Sequence, residues 1–221
     1  MRIILLGPPG AGKGTQAKIL AKELNLPHIS TGELLRQNVS EDTDLGREAK
    51  GYMNKGLLVP DDLIKKMLVL RFAKPDVRAG FILDGYPRNL NQAQTLDEIL
   101  DQLKLGIDMV IDLKTCESVI VQRLSGRLVC SVCGFNFHIK NMPPKKPLTC
   151  DACGGKLYQR SDDREETIKK RLAVYLKESS GLLKYYRERK KLYTLSGDED
   201  AQVVLAKIIQ LVEKYNDSLK V

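Results

Sequence analysis

Ile3-Ile4-Leu5-Leu6-Gly7-Pro8-Pro9-Gly10-Ala11-Gly12-Lys13-Gly14-Thr15 is the stretch on which the fold turns. Ile3–Leu6 is a short apolar run stopped by Gly and Pro, which reads as a buried strand. From Thr15 to Asn25, apolar Ala17, Ile19, Leu20, Ala21 and Leu24 follow the i, i+3, i+4 spacing of a helix. A strand, a glycine-rich turn and a helix in that order are the setting of a phosphate-binding loop. The glycines let several N–H groups converge on one anion, and the helix N-terminus adds its dipole. Lys13 reaches toward the outer phosphates. The strict pattern has Ser or Thr directly after the lysine, whereas here Gly14 precedes Thr15. That weakens a hydroxyl contact to magnesium and leaves the cradle of Gly10, Ala11, Gly12, Lys13, Gly14 and Thr15 intact.

Outward from this loop the pattern repeats. Pro27–Ser30 is a brief extended piece, and Ser30-Thr31-Gly32-Glu33 is a capping box opening a helix through Arg36. Pro60-Asp61-Asp62 starts another helix, to about Phe72. Gly80–Asp84 and Met109–Leu113 read as further buried strands separated by helical patterns, which predicts βαβ units and a parallel sheet flanked by helices. Gly126 to Asp163 is rich in Cys, Gly, Pro and Lys and breaks every periodicity, as an inserted module would. A charged helical stretch from Asp163 to about Tyr193 carries a potential interruption at Ser179-Ser180-Gly181. Leu195 is expected to return to the sheet, and Ala201–Leu219 to close the chain as an amphipathic helix.

The chain has 221 residues, 43% hydrophobic and 29% charged, an ordinary globular composition. It excludes a disordered chain, a collagen and a membrane bundle. No run approaches the roughly 18 apolar residues of a membrane span, and the four at the N-terminus are too few for a signal peptide. A cytoplasmic protein is expected. With 36 Lys+Arg against 28 Asp+Glu, the formal charge is +8, which suits acidic partners such as nucleic acid, anionic membrane or small phosphorylated molecules.

Cys130-x2-Cys133 and Cys150-x2-Cys153 have the spacing of a four-cysteine zinc site. Four protein ligands leave no open position on the metal, so such a zinc is structural. Iron or a redox disulfide pair is the alternative. His138 is a conceivable further ligand, and Gly134 and Gly154 follow the two knuckles where the backbone is strained. Cys116 stands apart and reads as a partly buried, inert thiol.

Arg36, Arg88, Arg123, Arg127, Arg160 and Arg171 lie after strands or at helix edges. At Gly7–Thr15, Ser30-Thr31-Gly32-Glu33-Leu34-Leu35-Arg36, Asp84-Gly85-Tyr86-Pro87-Arg88 and Arg160-Ser161-Asp162-Asp163 the chain closely resembles the adenylate kinase family, in particular its long form with a zinc-bearing lid. The resemblance covers essentially the whole chain with the motifs in order. It implies a P-loop nucleoside monophosphate kinase fold and the reversible reaction of MgATP with AMP to give two ADP. It further implies a core of residues 1–29, 60–125 and 164–221, an AMP-binding insert at 30–59 and a lid at 126–163.

By resemblance, Gly10–Thr15 hold the ATP phosphates, with Arg123, Arg127, Asn136, Phe137 and, through its backbone, Glu199 as further ATP contacts. Thr31, Arg36, Leu57, Val59, Gly85, Arg88 and Gln92 correspond to AMP positions, and Arg160 and Arg171 close around the phosphates. Lys13, Arg88, Arg127, Arg160 and Arg171 are the catalytic set, and Asp84 organises the magnesium. Tyr86 stands where Phe is common and Asn89 where Thr is common. The family is commonly monomeric.

Rival readings are a kinase for another nucleoside monophosphate, a zinc-ribbon nucleic-acid-binding ATPase, and an ATP-dependent switch. Aromatics at 5% with no tryptophan leave few stacking platforms for single strands. The Arg36/Arg88 pair argues for a second nucleotide, against a switch. With four thiolates and one Zn²⁺ the formal +8 becomes about +6. Seven of the positive charges, Lys13 and the six arginines, are expected in one cleft. The excess charge is therefore better read as a phosphate trap than as a footprint for nucleic acid or membrane.

Overall fold

A computed structural model describes residues 1–218. Leu219, the expected end of the closing helix, lies outside the described residues. The central sheet is β1 (Arg2–Leu6), β2 (His28–Ser30), β3 (Phe81–Asp84), β4 (Met109–Lys114) and β8 (Leu192–Ser196). Its order is β2-β3-β1-β4-β8, every pair parallel. Its interior strands are buried on both faces, which is why they read as continuous apolar runs rather than as alternation. Ile3, Leu5, Ile82 and Ile111 face helices α1 (Lys13–Glu23) and α8 (Ala201–Ser218). Ile4, Leu6, Leu83 and Val110 face α4 (Asp61–Phe72), α5 (Leu90–Gln102) and α7 (Glu165–Glu188). The chain leaves β1 toward one edge of the sheet and later returns to its other side at β4. Its loops therefore part at the C-terminal end of β1, where open α/β sheets bind ligands.

Two excursions extend from this layer. Helices α2 (Thr31–Ser40) and α3 (Asp44–Lys55) form a hairpin between β2 and α4. After α6 (Glu117–Ser125), strands β5 (Arg127–Cys130), β6 (Asn136–His138) and β7 (Leu157–Tyr158) make a separate antiparallel sheet in the order β6-β5-β7. Its apolar cluster holds only Cys130, Phe137, Cys150 and Leu157, with Leu128 against it.

Three expectations change. α7 runs unbroken through Ser179-Ser180-Gly181. Ser179 is buried, and a Cβ on Gly181 would lie 3.8 Å from that of Leu90, so the small residues let α5 approach rather than break the helix. The same helix ends at Glu188, and Tyr193 belongs to β8. Helix α2 continues past Arg36 to Ser40.

Candidate active site

The loop after β1 turns into α1 at Gly12, whose φ of +92° is a left-handed conformation that favours glycine. Lys13 follows as the first helical residue and folds back over the loop. Its Nζ donates to the carbonyls of Gly7 at 2.7 Å and Pro8 at 2.8 Å. Burial lowers its pKa to about 8; Asp84 opposes this, while Arg88, Arg171 and Arg127 add to it. A polyphosphate in the cleft would restore the charge. The kcat/KM for ATP, which reports the free enzyme, should therefore fall as pH rises through about 8. The kcat, which reports the bound complex, should hold to higher pH. A kcat/KM that stays level to pH 9.5 would contradict the depressed lysine.

The cleft above this loop encloses about 980 Å³. Residues 10–15 form its floor, and Arg36, Arg88, Arg123, Arg127, Arg160 and Arg171 all line it, as do Asp84, Asn136, Phe137 and Glu199. A smaller branch of about 60 Å³ is bordered by Thr31, Leu57, Val59, Gly85 and Gln92. Arg36, Arg88, Arg160 and Arg171 border both spaces. The geometry thus offers two adjoining compartments with guanidinium groups at their junction.

Two acids hold much of this array in place. Asp163, with a fully buried side chain, accepts from Arg127 Nε at 2.7 Å and Nη2 at 2.5 Å. Asp162 pairs with Arg160 and with Arg171 Nη1, the latter at 3.1 Å. Burial opposes ionisation of Asp162, but Arg160 and Arg171 overcome it and hold the carboxyl well below its ordinary range. Positive charge still dominates. Burial, and then Arg160, lower Arg36 to about 10, and burial is the largest cause lowering Arg171 to about 10. Both remain charged at neutral pH, and a bound phosphate would offset the repulsion among these guanidinium groups.

Other site residues are fixed locally. Arg123 donates to the carbonyls of Gly197 at 2.6 Å and Glu199 at 3.1 Å, holding the β8–α8 turn beside the cleft. The Glu199 carboxylate turns instead to Lys207. Asp84 ends β3 beside the loop, and a Cβ on Gly14 would lie 3.3 Å from its Oδ2. Burial would raise Asp84, yet His28, Lys13 and Arg88 hold it below its ordinary range. A buried, ionised carboxylate next to a phosphate cradle suits a hydrated Mg²⁺. Asn89 caps α5, its Oδ1 accepting from Gln92 N at 2.9 Å.

The four sulfurs of Cys130, Cys133, Cys150 and Cys153 lie within 4.8 Å of one another. Two of the separations are 3.4 Å, Cys130 to Cys153, and 3.6 Å, Cys133 to Cys150. Sulfurs at about 2.3 Å around tetrahedral zinc stand roughly 3.8 Å apart, so the set fits that ion. Neither pair is at disulfide length. The φ values of Gly134 and Gly154, +66° and +72°, supply the tight knuckle turns. His138 is turned away. Its Nδ1 accepts from the N–H groups of Lys140 and Asn141, which leaves Nε2 to donate to the Gln122 carbonyl at 3.0 Å.

Residues 5–191 match the family model described as Adenylate kinase. A protein of Methanocella arvoryzae named adenylate kinase is 48% identical over 97% of this chain and 99% of its own length. One of Caldicellulosiruptor bescii, with the same name, is 50% identical over 90% and 93%. One of Acetivibrio thermocellus is 49% identical over 90% and 92%.

The chain belongs to the adenylate kinase family. As an adenylate kinase it is an ATP-binding transferase that moves a phosphoryl group to a nucleoside monophosphate. Among its described residues, no helix is long and apolar enough to cross a membrane.

Several residues that shape the site of this adenylate kinase carry only a weak signal in the sequence. Asp162 and Asp163 were visible only as part of a motif, although two acids directly after Arg160 are a signal for arginine anchoring. The α3 helix is faint in the sequence because its apolar stripe is thin, with Leu45, Ala49 and Met53 among two glycines and many charges. Its Thr43 cap and the left-handed Gly56 at its end were the available marks. Cys116 is exposed rather than partly buried. Its hydrogen bond with Asp198 pushes the thiol pKa up, so it stays protonated for a reason other than burial.

Proposed function

We propose that the chain catalyses the reversible transfer of the γ-phosphoryl group of MgATP to AMP, giving two ADP. The convergence of Lys13 and six arginines on two adjoining compartments supports this reading most directly. A single polyphosphate needs one compartment; a donor and an acceptor need two, with the charge between them.

In this reading Gly10–Thr15 bind the donor phosphates through backbone N–H groups, and Arg123, Arg127, Asn136, Phe137 and the Glu199 backbone complete the ATP site. Thr31, Leu57, Val59, Gly85 and Gln92 hold the AMP base and ribose, while Arg36 and Arg88 hold its phosphate. An acceptor phosphate oxygen attacks the γ-phosphorus in line. One P–O bond forms as the bond to the β-phosphate oxygen breaks. Lys13, Arg88, Arg127, Arg160 and Arg171 neutralise charge spreading over the transferring group, which is most of what such chemistry requires of a protein. The acceptor is already an anion, so no side-chain nucleophile or base is needed. Magnesium, when bound, shields the donor phosphates, and Asp84 would hold its water shell.

The acceptor insert is assigned to residues 30–59 and the zinc-bearing lid to 126–163, and the enzyme works as a cytoplasmic monomer. Both flaps exclude water that would otherwise accept the phosphoryl group. The direct test is ADP formation from ATP with AMP, GMP, CMP and UMP in turn. AMP should support turnover at least about a hundredfold more efficiently than the others. Equal or better turnover with another monophosphate would move the assignment to that nucleotide.

A further inference from the structure

Gln92 lies in the first turn of α5, is almost fully buried, and borders the smaller compartment. Both ends of its amide are already engaged on one side. Oε1 accepts from the backbone N–H of Arg88 at 2.7 Å, and Nε2 donates to Asp61 Oδ1 at 2.7 Å. Asp61 opens α4, and its other oxygen accepts from Asn91 Nδ2 at 2.7 Å, so the carboxylate is itself anchored.

We infer that Asp61 is a specificity-determining positioning residue, which fixes the orientation of the Gln92 amide and thereby the purine that the acceptor site accepts. The inference rests on the reading above, in which Gln92 faces the acceptor base. A carboxylate can only accept and a backbone N–H can only donate, so chemistry alone sets which end of the amide faces which partner. What remains on the amide is one N–H and one oxygen lone pair. That pair matches adenine, whose N1 accepts beside an N6–H that donates. Hypoxanthine and guanine present the reverse, an N1–H beside an O6. Reading them requires the amide to flip. A flipped amide would set its oxygen against the Asp61 carboxylate and its NH₂ against the Arg88 N–H. Two like pairs in a buried setting forbid that state, so rejection of the 6-keto purine comes from a residue that need not touch the nucleotide.

The test compares kcat/KM for AMP and inosine monophosphate, which shares the keto edge and lacks guanine's 2-amino group. In Asp61→Asn the new amide can meet either end of Gln92, and in Asp61→Ala the Nε2 end loses its partner and only the Arg88 N–H still holds the amide. The AMP preference should fall at least about tenfold in both variants, with AMP turnover retained. Gln92→Leu, which removes the reading group, should also collapse the preference. If Gln92→Leu collapses it while both folded Asp61 variants keep it, the positioning role is overturned and the base contact stands. If Gln92→Leu leaves it unchanged, Gln92 does not read the base, and the inference falls with that reading.

Discussion

Replacing Lys13 or Arg88 with alanine should lower turnover by about a thousandfold while leaving the protein folded, on the scale of other phosphate-clamping charges. The two side chains share a position that explains the size of the effect. Lys13 sits over the loop with its ammonium on the carbonyls of Gly7 and Pro8, so phosphate arrival needs only a short swing. Arg88 borders both compartments, its Nε tied to the Gly85 carbonyl. In the proposed reaction it would therefore span donor and acceptor phosphates, where negative charge spreads during transfer. Neither side chain belongs to the apolar clusters around the sheet. Burial is the largest cause lowering the pKa of both; Asp84 opposes it in each, while Arg88, Arg171 and Arg127 lower Lys13 further and Arg160 lowers Arg88, so each is a charge held against the cost of burial. Truncation removes that buried charge, and the melting temperature should stay level or rise, as when activity is carried by a destabilised site. Initial rates in a coupled ADP assay, beside a thermal melt of each variant, make the comparison. Turnover within a fewfold of the parent in either folded variant would remove that residue from the transfer step.

Much of this arrangement could be read from the chain, and the unread part has a common physical cause. The buried strands announced themselves because a parallel sheet covered on both faces leaves uninterrupted Ile, Leu and Val runs. The phosphate loop did so because its glycines, lysine and helix start are local in sequence. The knuckles were equally local, each a Cys-x2-Cys turn followed by glycine. What stayed hidden depended on partners distant in sequence. Ser179-Ser180-Gly181 reads as a helix break in isolation; only the approach of α5 at Leu90 shows it to be a packing surface. Asp163 grips Arg127 across 36 residues, and Asp61 grips Gln92 across 31. A carboxylate at a helix start is ordinarily solvated, so nothing local marks Asp61 as a clamp. Arg36, Arg88 and Arg160 stand in legible motif contexts, but how Arg127, Arg160 and Arg171 share two acids could only come from the folded chain.

Removing metal from the four-cysteine site should lower the melting temperature far more than it lowers activity in the cold. The antiparallel sheet β5–β7 belongs to a segment of about forty residues, a size at which a core alone rarely suffices. Its few buried apolar side chains include two of the cysteines themselves. Without an ion, four thiols converge with little else to hold them. A metal at a thousandfold over its dissociation constant contributes about 4 kcal/mol to the folded state. For a chain of this length each kcal/mol moves the melting temperature by about 2–4 °C, so a shift of roughly 8–16 °C is expected. The site sits at the wall of the cleft, and all four ligand positions come from protein, so the ion has no vacancy for substrate. At low temperature the stripped protein should therefore retain most of its turnover, with loss appearing as the segment melts. Melting curves and ADP-formation rates of chelated and zinc-restored protein, taken together with the metal content, decide it. Immediate loss of activity in the cold with the melting temperature unchanged would assign the metal to the chemistry instead of the fold.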